Sequence, residues 1–222
     1  MQNLSGKTIL FDLDGTLVDP AKGIIAAYQD ALGQMGCAVP DHDDLTWVIG
    51  PPLRRSFAKM LRTDQDVEQA VAAYRTSYAA GGIFQATVFD GIKNVLEDLR
   101  AADCALYVCT AKPTVFARKV ISHFGFDPFF LDVYGAELDG RFDDKGDLIA
   151  HILSTKGIAA KDTVMIEDRA NDTTAAMRNG VSSIGILWGY GDRDELEKSG
   201  ATQICAAPDD LFGAVSALLT NG

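Results

Sequence analysis

The chain has 222 residues, of which 47% are hydrophobic and 23% are charged, values typical of a globular protein. This composition excludes a disordered or fibrous chain, and the length allows a packed core without disulfides or a structural metal. The formal net charge is −11 because 31 acidic residues outnumber 20 basic ones. An acidic surface repels nucleic-acid backbones and anionic lipids, so we expect neither as a partner.

The sequence gives no sign of export or membrane insertion. No apolar run reaches the roughly 18 residues of a membrane helix, and the N-terminus lacks the basic and apolar regions of a signal peptide. The cysteines (Cys37, Cys104, Cys109 and Cys205) are scattered and form no Cys-x-x-Cys pair, as expected for reduced thiols. We therefore expect a cytoplasmic protein, either a monomer or a homodimer.

Short apolar, β-rich runs recur along the chain and predict strands. They lie at 8–11, 105–109, 131–134, 163–166, 183–187 and 203–206. From the second run onward they alternate with helical patterns at 114–124, 145–154, 172–179 and 208–219. Strands that alternate with helices form a parallel sheet covered on both faces. The predicted fold class is therefore α/β, with a Rossmann-like, doubly wound parallel sheet.

One long segment, 19–86, breaks this alternation because it contains no convincing strand. The spacing of its apolar residues predicts helices at 21–35, 53–61 and 67–78. We therefore predict a core formed by 1–18 and 87–222, with a small all-helical domain inserted after the first strand.

The clearest chemical signal is the string FDLDGTL at 11–17, directly after the first strand. In open α/β sheets, ligands bind beyond the carboxyl ends of the strands, where Asp12 and Asp14 are expected to lie. Two neighbouring carboxylates repel each other and need a cation or a shared proton. Carboxylate oxygens suit Mg²⁺. The alternative for these residues is a solvated strand end that turns at Gly15.

The string at 11–17 resembles motif I of the haloacid dehalogenase-like (HAD) hydrolases, which are mostly phosphatases. Three later features resemble the other motifs of that family in the same order: Thr110 at the end of an apolar strand, Lys145 at a helix start, and the acidic cluster 167–172 after another strand. The resemblance extends along the whole chain. It implies an enzyme that hydrolyses a small phosphomonoester with Mg²⁺ as cofactor.

The resemblance also implies roles for individual residues. Asp12 would be the nucleophile that forms an aspartyl-phosphate, and Asp14 would be the general acid and then the general base. Mg²⁺ would be held by Asp12, the backbone carbonyl of Asp14, and Asp168. Thr110 would hold phosphate oxygens, and Lys145 would offset the negative charge of the nucleophile and the phosphate.

Further residues complete the implied site. Backbone amides around Leu13, Asp14 and Gly15 would bind phosphate oxygens, and Asp172 would support the metal or Lys145. Glu167 departs from the Gly-Asp pair of many family members, and it is a candidate additional metal ligand. A Glu-Asp pair also occurs in β-phosphoglucomutase-like members, which raises a phosphomutase as an alternative.

In the family, the insertion corresponds to a helical cap that closes over the site and selects the substrate. The loop 50–55 resembles the specificity loop of phosphoglycolate-phosphatase-like and nucleotidase-like members. Within it, Arg54 or Arg55 is a candidate contact for a substrate carboxylate or phosphate. Ala111 and Lys112, which directly follow Thr110, are also candidates for substrate binding.

Several functions stay open at this stage. The leading one is a phosphoglycolate-phosphatase-like enzyme. The alternatives are a 5′-nucleotidase, which the string at 136–141 resembles, and a phosphomutase. A signalling receiver domain is strongly disfavoured, because its phospho-acceptor follows on a later strand than its acidic pair. The string at 189–191 lacks the third glycine of a dinucleotide fingerprint and predicts no such site.

Overall fold

The computed structural model describes residues 4–220. Residues 1–3 and 221–222, the two ends of the predicted core, lie outside the described residues. Between residues 4 and 220, no helix is both long enough and apolar enough to cross a membrane.

A six-stranded parallel sheet forms the centre of the molecule. Its strands are β1 (Thr8–Phe11), β4 (Ala105–Pro113), β5 (Asp132–Ala136), β6 (Thr163–Glu167), β7 (Ser182–Ile186) and β8 (Gln203–Cys205), and a separate antiparallel ribbon joins β2 (Val18–Asp19) to β3 (Thr87–Val88). The strand order in the sheet is β5-β4-β1-β6-β7-β8, and each neighbouring pair is parallel. The α/β, Rossmann-like prediction is thereby confirmed.

Helices cover both faces of this sheet. They are α1 (Ala21–Gln34), α2 (Leu53–Phe57), α3 (Asp64–Ala80), α4 (Ile92–Ala101), α5 (Thr114–His123), α6 (Lys145–Lys156), α7 (Ala170–Arg178), α8 (Arg193–Ser199) and α9 (Leu211–Thr220). In β1, Ile9 and Phe11 point to the face that carries α4, α5 and α9, whereas Leu10 points to the face that carries α6 and α7. Both faces of the strand are buried, which is why its sequence is continuously apolar.

The connections place a topological switch at the end of β1. The chain leaves β1, passes through the insertion, and continues to β4 and β5 on one side. It then returns to β6 on the other side of β1. In doubly wound sheets, ligands bind at such a reversal, beyond the carboxyl ends of the strands. Asp12 follows β1 directly, so it lies at this point.

The insertion packs around its own aromatic residues. Tyr28 of α1 stacks on Phe57 of α2 with ring centroids 4.2 Å apart, and Tyr74 of α3 meets Tyr28 edge-on at 5.3 Å. The β2–β3 ribbon lies where the chain enters and leaves this helical segment, pairing Asp19 with Thr87. We propose that 19–86 acts as a separate cap on the core formed by 1–18 and 87–222.

Several predicted elements differ from the structure. The helix predicted at 53–61 ends at Phe57, the strand predicted at 105–109 continues to Pro113, and the strand predicted at 131–134 is observed as Asp132–Ala136. Two core helices were not predicted. Helix α4 carries a clear apolar stripe, whereas α8 is polar apart from the buried Leu196, so its pattern gives little signal.

Candidate active site

The end of β1, the strand β4 and the start of α6 each carry one of the predicted motif residues. The backbone amide of Asp12 donates to the carbonyl of Ile166 at 2.9 Å, which continues the parallel pairing of β1 with β6 past the end of the strand. Thr110 lies within β4, next to β1. Lys145 is the first residue of α6, where the Asp144 carboxylate caps the helix by accepting from the amide of Gly146 at 2.7 Å.

The carboxylates of Asp12, Asp168 and Asp172 form a buried cluster, each with an oxygen within 4.8 Å of the others. The Lys145 ammonium lies 3.1 Å from Asp12 Oδ2 and 2.8 Å from Asp172 Oδ2. One ammonium among three carboxylates leaves excess negative charge. Burial, followed by the Asp12 charge, raises the pKa of Asp168 to about 7, and burial together with Asp12 raises the pKa of Asp172 against the opposing effect of Lys145.

The backbone around Asp168 leaves room only for glycine. Gly15 has a φ of +85°, and a Cβ built there would overlap the Asp168 carboxylate. A Cβ on Gly189 would meet the same side chain, while the amide of Tyr190 donates to Asp168 Oδ2 at 2.8 Å. Gly189 thus packs against the Asp168 side chain, and Gly191 packs against the backbone carbonyl of the same residue. Sequence reasoning missed this role because the two segments are distant along the chain.

Glu167 lies outside the three-carboxylate cluster. The Thr173 hydroxyl donates to its Oε1, and the amide of Arg169 donates to its Oε2 at 3.2 Å. Both carboxylate oxygens therefore have protein partners. Burial and the neighbouring Asp172 raise the pKa of Glu167 well above its ordinary value. Whether Glu167 is an additional metal ligand, directly or through water, stays a prediction, and these contacts favour a supporting role behind Asp172.

The Asp14 side chain turns away from the cluster and towards Lys112. Lys112 Nζ lies 2.9 Å from Asp14 Oδ2 and donates to the Tyr78 hydroxyl at 2.6 Å. Burial raises the pKa of Asp14, although Lys112 opposes this shift. Tyr78 comes from α3 in the insertion, so this contact crosses from the insertion to the core. Sequence reasoning missed Tyr78 because its helical spacing marks it only as a core residue.

Two of the backbone amides predicted to bind phosphate, those of Leu13 and Gly15, have partners within the protein. The amide of Leu13 donates to Asp12 Oδ1 at 2.7 Å, and the amide of Gly15 donates to the carbonyl of Val18 at 2.8 Å. Thr110 Oγ1 accepts from the amide of Lys112 at 3.2 Å, which leaves its hydroxyl proton available for a phosphate oxygen.

A cleft of about 600 Å³ opens beside the cluster, between the insertion and the core. Its walls include Lys145, Asp172 and Ala111 from the core and Gly50, Arg54 and Arg55 from the insertion. Arg54 donates to Glu68 Oε1 at 2.6 Å and to Asp143 Oδ2 at 3.2 Å, so protein carboxylates already balance its charge. Arg55 donates to the neutral Asn171 Oδ1 at 3.1 Å. Of the two arginines, Arg55 is therefore better suited to meet an anionic substrate.

The fold and this site place the chain in a known class of enzymes. A family model described as haloacid dehalogenase-like hydrolase matches residues 9–186. The chain belongs to this family, and it is an enzyme of the phosphatase type.

The relatives with known names include a nucleotidase, a kinase and a phosphatase. The chain is 45% identical over 199 residues to a 5′-nucleotidase of Pseudomonas aeruginosa, covering 89% of this chain and 90% of the relative. It is 36% identical to the tyrosine-protein kinase PtkA of Mycobacterium tuberculosis, covering 95% and 73% of the two chains. It is 32% identical to a phosphoglycolate phosphatase of Caulobacter vibrioides, covering 100% and 95%.

A solved structure supports the same assignment. The crystal structure of a predicted phosphatase from Clostridium acetobutylicum superposes with a TM-score of 0.93 at 34% identity. The match covers 96% of this chain and 99% of the other.

Proposed function

We propose that the chain hydrolyses a small phosphomonoester through an aspartyl-phosphate formed on Asp12. The observation that carries this proposal is the position of Asp12 at the topological switch, with one oxygen bound to the Leu13 amide and the other paired with Lys145. A carboxylate nucleophile needs no base to activate it at neutral pH. Its difficulty is repulsion from the phosphate, which the buried Lys145 ammonium reduces.

The other residues of the site bind the phosphate, balance charge and transfer protons. Thr110 donates its hydroxyl to a phosphate oxygen, and Lys145 balances the charge of Asp12. Asp14 gives a proton to the leaving oxygen and later accepts one from the water that attacks phosphorus. The raised pKa of Asp14 supports this role, because burial favours the protonated carboxyl that a general acid requires.

The three-carboxylate cluster fits Mg²⁺. Its ligand atoms are all carboxylate oxygens, its members are buried, and Asp168 Oδ1 has no hydrogen-bond partner within residues 4–220. Asp12 and Asp168 would hold the ion, with Asp172 beside them. When bound, Mg²⁺ would neutralise phosphate charge and polarise the phosphoryl group.

Metal binding should depend on pH because a proton competes for Asp168. The folded-state pKa of Asp168 is about 7, above its ordinary value of 3.8. Without metal, the stability that the protonated carboxyl contributes is therefore complete below pH 3.8 and is lost as the pH rises through 7. We expect Mg²⁺ to raise the unfolding temperature more at about pH 8 than at about pH 6, since the metal binds the ionised carboxylate. An equal shift at both pH values, measured by thermal unfolding with Mg²⁺ and with EDTA, would argue against this carboxylate as a ligand.

The substrate is proposed to be 2-phosphoglycolate or a nucleoside 5′-monophosphate. The nucleoside monophosphate gains support from the 45% identical relative named 5′-nucleotidase and from a cleft of about 600 Å³, within the range of small-molecule pockets. The named phosphoglycolate phosphatase supports the first candidate.

The test of the proposed function is phosphate release from a panel of phosphomonoesters, with Mg²⁺ and with EDTA. The panel holds 2-phosphoglycolate, nucleoside monophosphates, sugar phosphates and 4-nitrophenyl phosphate. We expect Mg²⁺-dependent release with one natural substrate well ahead of the others. Absence of release from every compound would contradict a phosphatase role, and turnover only after addition of a sugar bisphosphate would indicate a phosphomutase.

The two arginines of the loop at 50–55 should behave differently when substituted. We expect Arg55→Gln to raise KM about tenfold more for 2-phosphoglycolate, which carries a carboxylate besides its phosphate, than for 4-nitrophenyl phosphate, the cost of losing one charged hydrogen bond. Arg54→Gln should affect both substrates alike, because Arg54 is paired with Glu68 and Asp143. Arg62→Gln, on the exposed surface of the insertion, is the control. The same ratio of KM values in all three variants would remove Arg55 from substrate recognition.

A further inference from the structure

Three buried polar side chains, those of Tyr78, Lys112 and Asp14, contact one another in turn from the insertion to the core. The Lys112 ammonium donates to the Tyr78 hydroxyl at 2.6 Å and lies 2.9 Å from Asp14 Oδ2. The side chain of Lys112 is 4% exposed, and Tyr78 is equally inaccessible. A buried ammonium that loses a partner is costly, so Lys112 is held by both neighbours together.

Tyr78 is fixed by aromatic rings from both parts of the molecule. Its ring stacks on Tyr74 of the same helix with centroids 5.4 Å apart and an interplanar angle of 14°. It meets Phe116 of α5, in the core, edge-on at 5.8 Å. These contacts set the position of the hydroxyl when the insertion lies against the core. In this structure, the hydroxyl reaches Lys112 across the boundary between the insertion and the core.

These contacts engage one oxygen of the Asp14 carboxyl and leave the other without a partner. Lys112 engages Oδ2, whereas Oδ1 is buried and has no hydrogen-bond partner among residues 4–220. We propose that Tyr78 is a positioning residue, which holds Lys112 on Asp14 Oδ2 and so aims Oδ1 at the leaving oxygen when the insertion is closed. This inference rests on the proposed function, in which Asp14 is the general acid.

The chemistry that this arrangement serves balances without a further reactant. As the Asp12 carboxylate bonds to phosphorus, the bond from phosphorus to the leaving oxygen breaks, and the proton on Asp14 Oδ1 passes to that oxygen. Water then attacks phosphorus, gives its proton to Asp14, and releases Asp12 from phosphate. Lys112 and Tyr78 keep their protons throughout, and neither touches the reacting atoms.

The test compares two leaving groups in the Tyr78→Phe variant. A general acid contributes about 10² to 10⁴ in rate where the leaving oxygen needs a proton, and little where it does not. We therefore expect Tyr78→Phe to lower kcat/KM at least about tenfold for the best alkyl phosphate of the panel. We expect kcat/KM for 4-nitrophenyl phosphate, whose leaving group departs as a stable anion, to stay within about twofold.

Controls separate this role from a structural one. Phenylalanine keeps the ring contacts of Tyr78, so the unfolding midpoint should be close to that of wild type. Tyr28→Phe removes another buried hydroxyl of the insertion, which donates to the Leu53 carbonyl within the insertion itself. This control should leave the ratio of the two rates unchanged. Lys112→Met should change the ratio in the same direction as Tyr78→Phe, and by more.

The possible outcomes distinguish failure of the positioning role from failure of the proposed function. An equal loss with both substrates in Tyr78→Phe, or no loss with either, would overturn the positioning role while leaving phosphatase activity in place. A wild-type protein that releases phosphate from neither substrate would instead remove the proposed function, and this inference would fall with it.

Discussion

Asp12→Asn is expected to abolish turnover while leaving the fold intact. The amide cannot attack phosphorus as the carboxylate does, and loss of a nucleophile commonly costs a factor of about 10³ or more in kcat. The change is nearly isosteric, and the Leu13 amide keeps an oxygen to bind at the position of Asp12 Oδ1. The measurement is steady-state phosphate release with Mg²⁺, together with circular dichroism and the unfolding midpoint.

The matched control for this variant is Asp98→Asn on the exposed side of α4, which should keep wild-type rates. Rates for Asp12→Asn close to wild type would refute the proposed nucleophile. A loss of activity accompanied by a large fall in stability would leave the chemical assignment without support from this variant.

Lys145→Met is expected to reduce both activity and stability. Lys145 is buried between Asp12 and Asp172, and its removal leaves three carboxylates without the ammonium that pairs two of them. Removing one partner of a buried ion pair costs about 3–5 kcal/mol. Activity should fall by about 10² or more, because the charge that offsets the nucleophile is lost.

Mg²⁺ distinguishes this electrostatic explanation from a packing defect. A divalent cation at the cluster replaces part of the missing positive charge, so Mg²⁺ should stabilise Lys145→Met more than it stabilises wild type. Urea unfolding with Mg²⁺ and with EDTA measures both effects, and Lys93→Met, on the exposed face of α4, serves as the control. If Mg²⁺ stabilised the variant and wild type equally, the account of Lys145 as the counter-charge of this cluster would be wrong.

The sequence predicts which residues meet at the candidate active site largely because parallel strands end at a common edge. Asp12 and Asp168 directly follow neighbouring strands, and Thr110 lies on the strand on the other side of β1, so alternation of strands and helices is enough to bring them together. Lys145 begins the helix that follows β5, so it too is expected near this edge of the sheet. The family resemblance supplies the roles that geometry alone does not.

Local sequence patterns do not predict the contacts that the insertion makes with the core. Tyr78 reads as one apolar position of a helix, and its hydroxyl acquires a role only when α3 lies beside Lys112. The loop sequence also does not predict that Arg54 pairs with Glu68 and Asp143, whereas Arg55 donates to Asn171. Such contacts depend on how the insertion lies against the rest of the chain, which no periodicity encodes.

Glu167 shows a different limit of sequence reasoning. An acidic residue beside Asp168 suggests a metal ligand by its charge and position. In the structure, the Thr173 hydroxyl and the Arg169 amide occupy its two oxygens. Arg169 immediately precedes α7 and Thr173 lies in its first turn, so both partners follow Glu167 closely in sequence. Side-chain direction at the end of a strand, rather than residue type, decides which carboxylate faces the cluster.

The most direct test of the account is to capture the phosphoryl group on the enzyme during turnover. The protein is mixed with its best substrate and Mg²⁺, quenched in acid within the first turnovers, digested and analysed by mass spectrometry. The account predicts a phosphoryl group on the peptide that contains Asp12, and none in Asp12→Asn. A phosphoryl group on another residue during productive turnover would contradict the aspartyl-phosphate mechanism at Asp12.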